Sequence, residues 1–262
     1  MPKYPNILLG LFKNNLTREM EFKASFMLWI VVEVFFVLVQ VAMVGIYFNF
    51  TDNLLGWTKS QVFLLVGLFR IIEGIFHIFF YKNLLNLPEN ISSGDLDLLL
   101  TRPVNSLFLI STRYFCLDEI GTLLTGFLVV WYSLSLLKFD FTFLLFGKLF
   151  ILVAFGLLGM YSVILIFSTL SFFFTRLTAL HSVYDIITKT LRIPIDVITK
   201  NNAIGNSLLF PLIIIVTLPS QIILGYSGYQ FILLESTASL ILFYIARKFF
   251  YFALRHYSSA SS

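Results

Sequence analysis

The sequence predicts an all-α polytopic membrane protein, with six transmembrane helices preceded by an N-terminal interfacial helix. Three observations carry that prediction. Of the 262 residues, 58% are apolar and only 12% charged, about half the charge of an ordinary soluble domain. The mean hydropathy is +0.91, and the apolar residues cluster into runs near the roughly 20 residues a spanning helix needs. The cations avoid every second connection between those runs. A soluble globule of this composition would leave its apolar surface in water with no polar face to cover it. A cytosolic enzyme, a secreted disulfide scaffold and a nucleic-acid-binding module are thereby excluded. Cys116 is the only cysteine, so neither an internal disulfide nor a multi-thiolate metal site can form.

The chain reads as a single transmembrane domain over residues 1–262. Residues 1–23 are an interfacial helix: Leu8, Leu9, Phe12, Leu16 and Met20 share one side at helical spacing, with Glu19 an exception inside the apolar arc. A cleavable signal peptide is the rival reading, but no small-residue cleavage site follows a short apolar core. Span one is expected at Ser25–Phe48 and span two at Gln61–Phe80, continuing towards Asn83, followed by a polar segment over 84–112. Span three is expected at Arg113–Leu137 and span four at Phe141–Ser168. Residues 176–205 are amphipathic, with Leu180, Tyr184, Ile187 and Leu191 opposed to Asp185, Lys189 and Arg192, and Pro194 ending the helix. Span five, Asn206–Leu224, is interrupted by Pro211 and Pro219, which act either as bend points or as static kinks. Span six is expected at Phe231–Ala246.

With the N-terminus in the cytoplasm, the inner segments carry 14 Lys and Arg residues. The outer turns carry 2, Lys59 and Lys138. That asymmetry places both termini and both long polar segments in the cytoplasm. The net charge of +4 is therefore a topology signal.

Ionisable residues inside a span are costly and call for partners. Arg70, Glu73 and His77 fall within about a 60° arc of span two, so they share one face. Glu33 lies at a similar depth in span one. A polar seam between the two spans follows, serving either as a substrate route or proton relay, or as an ion pair that fixes helix packing. Asp118 and Glu119 are expected near the cytoplasmic start of span three, reaching the interface. Lys148 can extend outward to the headgroups. Enzymatic chemistry has no foothold. His77, His181 and His256 show no metal-binding spacing, and neither a GxSxG nor a GxxxxGK[ST] loop is present. Gly156 and Gly159 read as close-packing positions.

The most informative segment is Asn86–Asn105. It holds a short helix-capable run ended at Ser93–Gly94, then an apolar stretch stopped by Arg102–Pro103. Its pattern I-x-x-G-[DE]-L-D-x-L-L-x-[RK]-P-V-N resembles the ABC-2 type transporter permeases, in particular a six-span subfamily first described as a domain of unknown function. Ile91, Gly94, Asp95, Leu96, Asp97, Leu99, Leu100, Arg102, Pro103, Val104 and Asn105 match position by position. Pro194-Ile-Asp196, Pro211 and Pro219-Ser-Gln add a second likeness, although Ile193 stands where the family has an aromatic. Leu254-Arg255-His256-Tyr257 with its small-residue tail adds a third.

That resemblance implies the membrane subunit of an ATP-driven exporter of the type V architecture in a bacterial inner membrane. The segment after span two would be a coupling helix that docks on a separate cytoplasmic ATPase. On this chain the role falls to Leu87, Pro88, Glu89, Asn90 and Ile91, with Gly94, Asp97, Arg102 and Pro103 returning the chain to the membrane. ATP and Mg²⁺ would sit in the partner, with no cofactor, metal or catalytic residue in this chain. A second permease, identical or not, would complete a dimer in contact with membrane lipids, and no nucleic-acid partner is expected. Two other readings stay open. One is an ion- or proton-coupled carrier or channel using Glu33, Glu73 and His77, and the other is a membrane-complex subunit with no transport of its own.

Overall fold

The computed structural model describes residues 4–21, 23–54, 56–140, 142–174, 180–194, 210–226, 228 and 230–257. Among them the chain is helical throughout, with no strand longer than an isolated bridge between Leu54 and Trp57. The helices are α1 (Tyr4–Glu21), α2 (Lys23–Phe50), α3 (Lys59–Phe76), α4 (Lys82–Leu85), α5 (Leu87–Ser93), α6 (Asp95–Leu100) and α7 (Ser106–Thr112). They are followed by α8 (Ile120–Leu136), α9 (Phe143–Thr169), α10 (Leu180–Leu191), α11 (Thr217–Ile223) and α12 (Gln230–Arg255). A π-helical turn, His77–Tyr81, joins α3 to α4, and a 3₁₀ turn, Leu117–Glu119, leads into α8.

The bundle is built around α3, which is buried on nearly every side. Its closest partner is α8, and glycines set the approach. A Cβ on Gly67 would meet Val130 backbone nitrogen at 2.8 Å, one on Gly74 the Leu123 nitrogen at 2.8 Å, and one on Gly126 the Ile71 nitrogen at 2.8 Å. The pairs descend along α8 as they ascend along α3, so the two helices run antiparallel with backbones in contact. Small residues are how apolar helices gain packing where lipid gives no hydrophobic drive. Lys59 and Lys138 consequently flank the same end of this pair. Gly156 plays the expected close-packing part: its Cβ would lie 2.5 Å from the Ile215 carbonyl oxygen.

Five described helical stretches are long and apolar enough to cross a membrane: Lys23–Phe50, Lys59–Ser93, Leu117–Leu136, Phe143–Phe172 and Gln230–Arg255. The expected six are not all continuous helices. Residues 206–209 at the start of expected span five lie outside the described residues, as do Arg176, Asp196 and the tail from Ser258. The described remainder is a helical stretch at 210–213, a turn at 214–216 and the seven-residue α11. Pro219 sits in the first turn of α11, where its missing N–H costs nothing. Pro211 lies just before the turn. The interruption expected from the two prolines is thus a break in the backbone.

Three boundaries also move. Span two runs on past Asn83 and the single-residue turn at Asn86 to Ser93, a stretch of 35 residues or about 52 Å measured along its helices. Span three starts at Leu117 rather than Arg113. The side chain of Asn83 donates to Tyr114 O at 2.7 Å and accepts from Tyr114 N at 2.9 Å, while Cys116 N donates to Ile78 O at 3.0 Å. Those bonds hold residues 114–116 out of helix, against α4 and the π-helical turn. Span six runs on to Arg255.

On helix α1, Leu8 and Leu11 pack on Ile78, Phe115 and Leu117, while Leu9, Phe12 and Leu16 of the apolar stripe lie on its open side. Asn15 decides the rotation, because its buried amide donates to Leu11 O and Arg113 O. Helix α2 touches the bundle along a narrow line, Ile30, Glu33, Val37, Val41 and Val44, and only Val37 is fully buried. Its other faces are apolar and open.

Gly74→Val and Gly126→Val should each cost about 3 kcal/mol, the upper end of the overpacking range, read as thermal or denaturant unfolding in detergent. Gly147→Ala, with nothing within 4 Å of the added carbon, should instead raise stability by up to about 1 kcal/mol, the helix-propensity gain of alanine over glycine.

Candidate functional site

The seam predicted between spans one and two exists, and it is larger than the sequence implied. Arg70 Nη2 donates to Glu33 Oε2 at 2.8 Å, and Arg70 Nη1 lies 3.5 Å from Glu73 Oε2. Arg70 and Glu73 are 5% and 4% exposed, so the pair is held inside protein and away from lipid. The other Glu73 oxygen accepts from Arg192 Nη2 at 3.3 Å. Arg192 also lies over the Phe69 ring at 5.6 Å. His77 Nδ1 stands 3.0 Å from Glu119 Oε1, and its Nε2 hydrogen-bonds the Tyr184 hydroxyl. Thr122 donates to the second Glu119 oxygen at 2.7 Å.

Each side chain is placed by the local sequence. The 3.6-residue period puts Arg70, Glu73 and His77 on one face of α3. Gly121 lets α2 approach α8, since its Cβ would lie 3.2 Å from Ile30 Cα and 3.4 Å from Glu33 Cβ, and this brings Glu33 within reach of Arg70. The amphipathic α10 behaves as its pattern predicts: Leu180, Tyr184, Ile187 and Leu191 are buried, Asp185 and Lys189 exposed. Burial pushes the Tyr184 hydroxyl well above the ordinary phenol range, and the nearby Glu73 carboxylate adds to the shift. Tyr184 therefore stays protonated and can donate to a neutral imidazole at His77.

The site holds Glu33, Glu73 and Glu119 against Arg70 and Arg192. A proton on His77 would bring that sum to zero. Four structural units meet on this cluster: α2, the α3 rod with the turn that follows it, the entry to α8, and α10 with Arg192 just beyond it. The ion-pair alternative for the seam is thus realised in geometry. Its open edge is Arg192, whose side chain is 39% exposed.

The coupling segment splits into an anchor and a knob. Leu87, Leu96 and Leu99 are buried, and Ile91 packs on the core. Leu87 therefore holds α5 in place and cannot meet a partner. Pro88 occupies the first turn of α5, and Gly94 ends it with φ +80°, the left-handed conformation that glycine accepts without strain. Ser93 Oγ then accepts from Asp95 N at 3.3 Å and donates to Asp95 Oδ2 at 2.9 Å, starting α6. Asn90, Asp97 and Gly94 are half-buried, while Glu89, Arg102 and Pro103 are exposed. Leu98, absent from the expected set, is 66% exposed and forms the apolar tip of the knob.

The motif that closes this segment also has a structural use. Asn105 Oδ1 accepts from Phe108 N at 3.0 Å to cap α7, and its amide donates to the Tyr251 hydroxyl at 2.8 Å on α12. The comparison with known proteins agrees with the motif. The family described as ABC-2 family transporter protein matches residues 26–261, nearly the whole chain. The chain belongs to the ABC-2 transporter family. No curated protein and no solved structure matches it.

In this ABC-2 permease, sequence reasoning missed four residues that matter. Glu119, Tyr184 and Arg192 join the seam from segments that lie far off in sequence, 107 positions from His77 in the case of Tyr184. No local pattern points to them. Glu235 is different. It is fully buried in α12, with no hydrogen-bond partner for either carboxyl oxygen. Ser239, one turn on, is equally buried and unpartnered. An acidic residue within the sixth apolar run is itself the signal, by the rule that singles out Glu73. Pro211 and Pro219 are not brought to the seam's charged groups; they flank the break beside Gly156.

Glu73→Gln would leave Arg70 and Arg192 with one carboxylate fewer in a buried site, and should lower unfolding stability by about 3–5 kcal/mol. Arg192→Gln, at the exposed edge, should cost no more than about 1 kcal/mol. Glu235→Met removes an unsatisfied buried carboxyl and should raise stability by about 1–3 kcal/mol. All three are read from unfolding curves of the purified permease in one detergent.

Proposed function

We propose that this permease is the membrane subunit of an ATP-driven exporter in a bacterial inner membrane, powered by a separate ATPase that docks from the cytoplasm on α5 and α6. The observation that carries the reading is the helical continuity of Lys59–Ser93. The knob and the seam lie on one stretch, with Glu89 at one end and Arg70, Glu73 and His77 inside the membrane. About 52 Å of helix exceeds the ~30 Å hydrocarbon core by roughly 20 Å. The exposed half of the knob thus stands clear of the bilayer, where a soluble subunit can reach it. The absence of a phosphate-binding loop from the sequence fits a division of labour in which this chain hydrolyses nothing.

In the mechanism that follows, nucleotide binding closes two ATPases and displaces α5. The helical stretch passes the displacement to Arg70, Glu73 and His77, whose partners sit on α2, α8 and α10. Shifting the α3 rod against them exchanges ion pairs in place of stripping them, so the bundle can move between arrangements without an unpaired buried charge. The π-helical turn at His77–Tyr81 and the break around Pro211 and Pro219 are the bend points. Both termini lie in the cytoplasm, as the 14-to-2 distribution of cations supports. A second permease, identical or related, completes the transport unit.

The test is association. Affinity-purified permease from its native membrane should carry a subunit that hydrolyses ATP. Leu98→Asp, Glu89→Lys and Arg102→Glu should each cut the recovered ATPase activity at least about tenfold with unchanged elution of the permease itself, since all three side chains are exposed. Recovery of no ATP-hydrolysing subunit, or ion-gradient-driven transport in proteoliposomes holding this chain alone, would overturn the reading.

A further inference from the structure

Two cavities adjoin at the end of α12 that carries Arg247, Lys248 and Arg255. The first, about 620 Å³, is an apolar slot between α7, α9 and α12, walled by Phe80, Leu157, Tyr161 and Phe243 and opening past Asn105. Helix α1 closes one side, where Tyr4 meets Phe108 edge-on at 4.9 Å. The second, about 600 Å³, lies between the three cations, Tyr244, Tyr251 and Phe252. Arg247 and Tyr251 line both, so the slot leads directly into the cationic mouth.

The mouth lacks negative charge. Helices α7 and α9 contain no acidic residue, and the chain has none after Glu235. Arg247, Lys248 and Arg255 have no carboxylate partner among the described residues. Arg247 and Lys248 instead lie over Tyr251 and Tyr244, at 5.9 and 5.4 Å from the ring centroids. Those stacks hold the cations at the mouth, where a tyrosine hydroxyl can also donate. Snorkelling cations alone would need no cavity beneath them. Here a slot of ligand-pocket size continues under the charge.

We propose that this site binds an anionic phospholipid of the inner leaflet, its phosphate at Arg247 and Lys248 and an acyl chain in the slot. The leaflet assignment rests on the orientation argued above. An anionic headgroup supplies the missing counter-charge, and an acyl chain fills apolar volume that water would occupy at a cost. Through the Tyr251–Asn105 bond the bound lipid would brace α7, the first helix after the coupling segment, against α12.

The experiment uses the full chain, purified and monodisperse, incubated with phosphatidylglycerol or phosphatidylcholine and read by native mass spectrometry without any transport assay. Phosphatidylglycerol should be retained at least about fivefold over phosphatidylcholine. The double variant R247Q/K248Q should lose that preference, and K59Q/K138Q, which removes the two outer-turn cations, should keep it. Ala154→Trp fills the slot wall and should lower retention with the cations untouched. Equal retention of the two lipids by the wild-type chain overturns the proposal whether or not any variant folds. So does release of phosphatidylglycerol by an equal concentration of inorganic phosphate, which would mark an anion site with no use for the acyl chain. Loss of ATPase association in the knob variants, with lipid retention intact, would leave this site standing apart from the transport reading.

Discussion

A guanidinium group inside a bilayer has to be answered by carboxylates, and the bundle is arranged around that need. Arg70 is 5% exposed on the most buried of the described candidate spans. An unpaired ion there would cost several kcal/mol even after relaxation. Glu73 on the same helix answers part of the charge, but its position one turn away fixes only its own helix. Glu33 must therefore come from α2, and α2 reaches it because Gly121 on α8 leaves room for the Ile30 backbone. Glu73 in turn draws Arg192 inward from just beyond α10. One buried cation thus ties two other segments to α3.

Backbone contact between α3 and α8 sets the frame in which those ion pairs can form. Gly67, Gly74 and Gly126 bring the two helices so close that side chains cannot separate them. A π-helical turn at His77–Tyr81 follows α3, directly beside the His77–Glu119–Tyr184 cluster.

Much of this was legible from the chain alone. The apolar runs, the cation asymmetry and the Asn86–Asn105 motif each point to an ABC-2 permease, and the family match over residues 26–261 agrees. Helical periodicity placed Arg70, Glu73 and His77 on one face and separated the buried from the exposed residues of α10. The sequence shows the helix-capable run that ends at Ser93–Gly94, but hydropathy could not join it to span two, because the window turns polar between them. It also could not see that Asn83 holds residues 114–116 out of helix, since that depends on a contact across 31 positions. The rotation of α1 likewise hangs on Asn15 and a distant carbonyl, at Arg113.

The sequence by itself determined the class of the fold, the uneven spread of its cations among the connections, the family and the face on which the buried ions lie. Each is set by local spacing or by composition, which any segment carries with it. Tertiary structure decided which charge answers which: Arg192 on Glu73, Glu119 and Tyr184 on His77, and no residue on Glu235. It also sorted the coupling segment into a buried anchor at Leu87 and an exposed tip at Leu98. Those choices depend on helices far apart in the chain meeting at a particular depth and rotation, and close packing between glycines, not periodicity, fixes both.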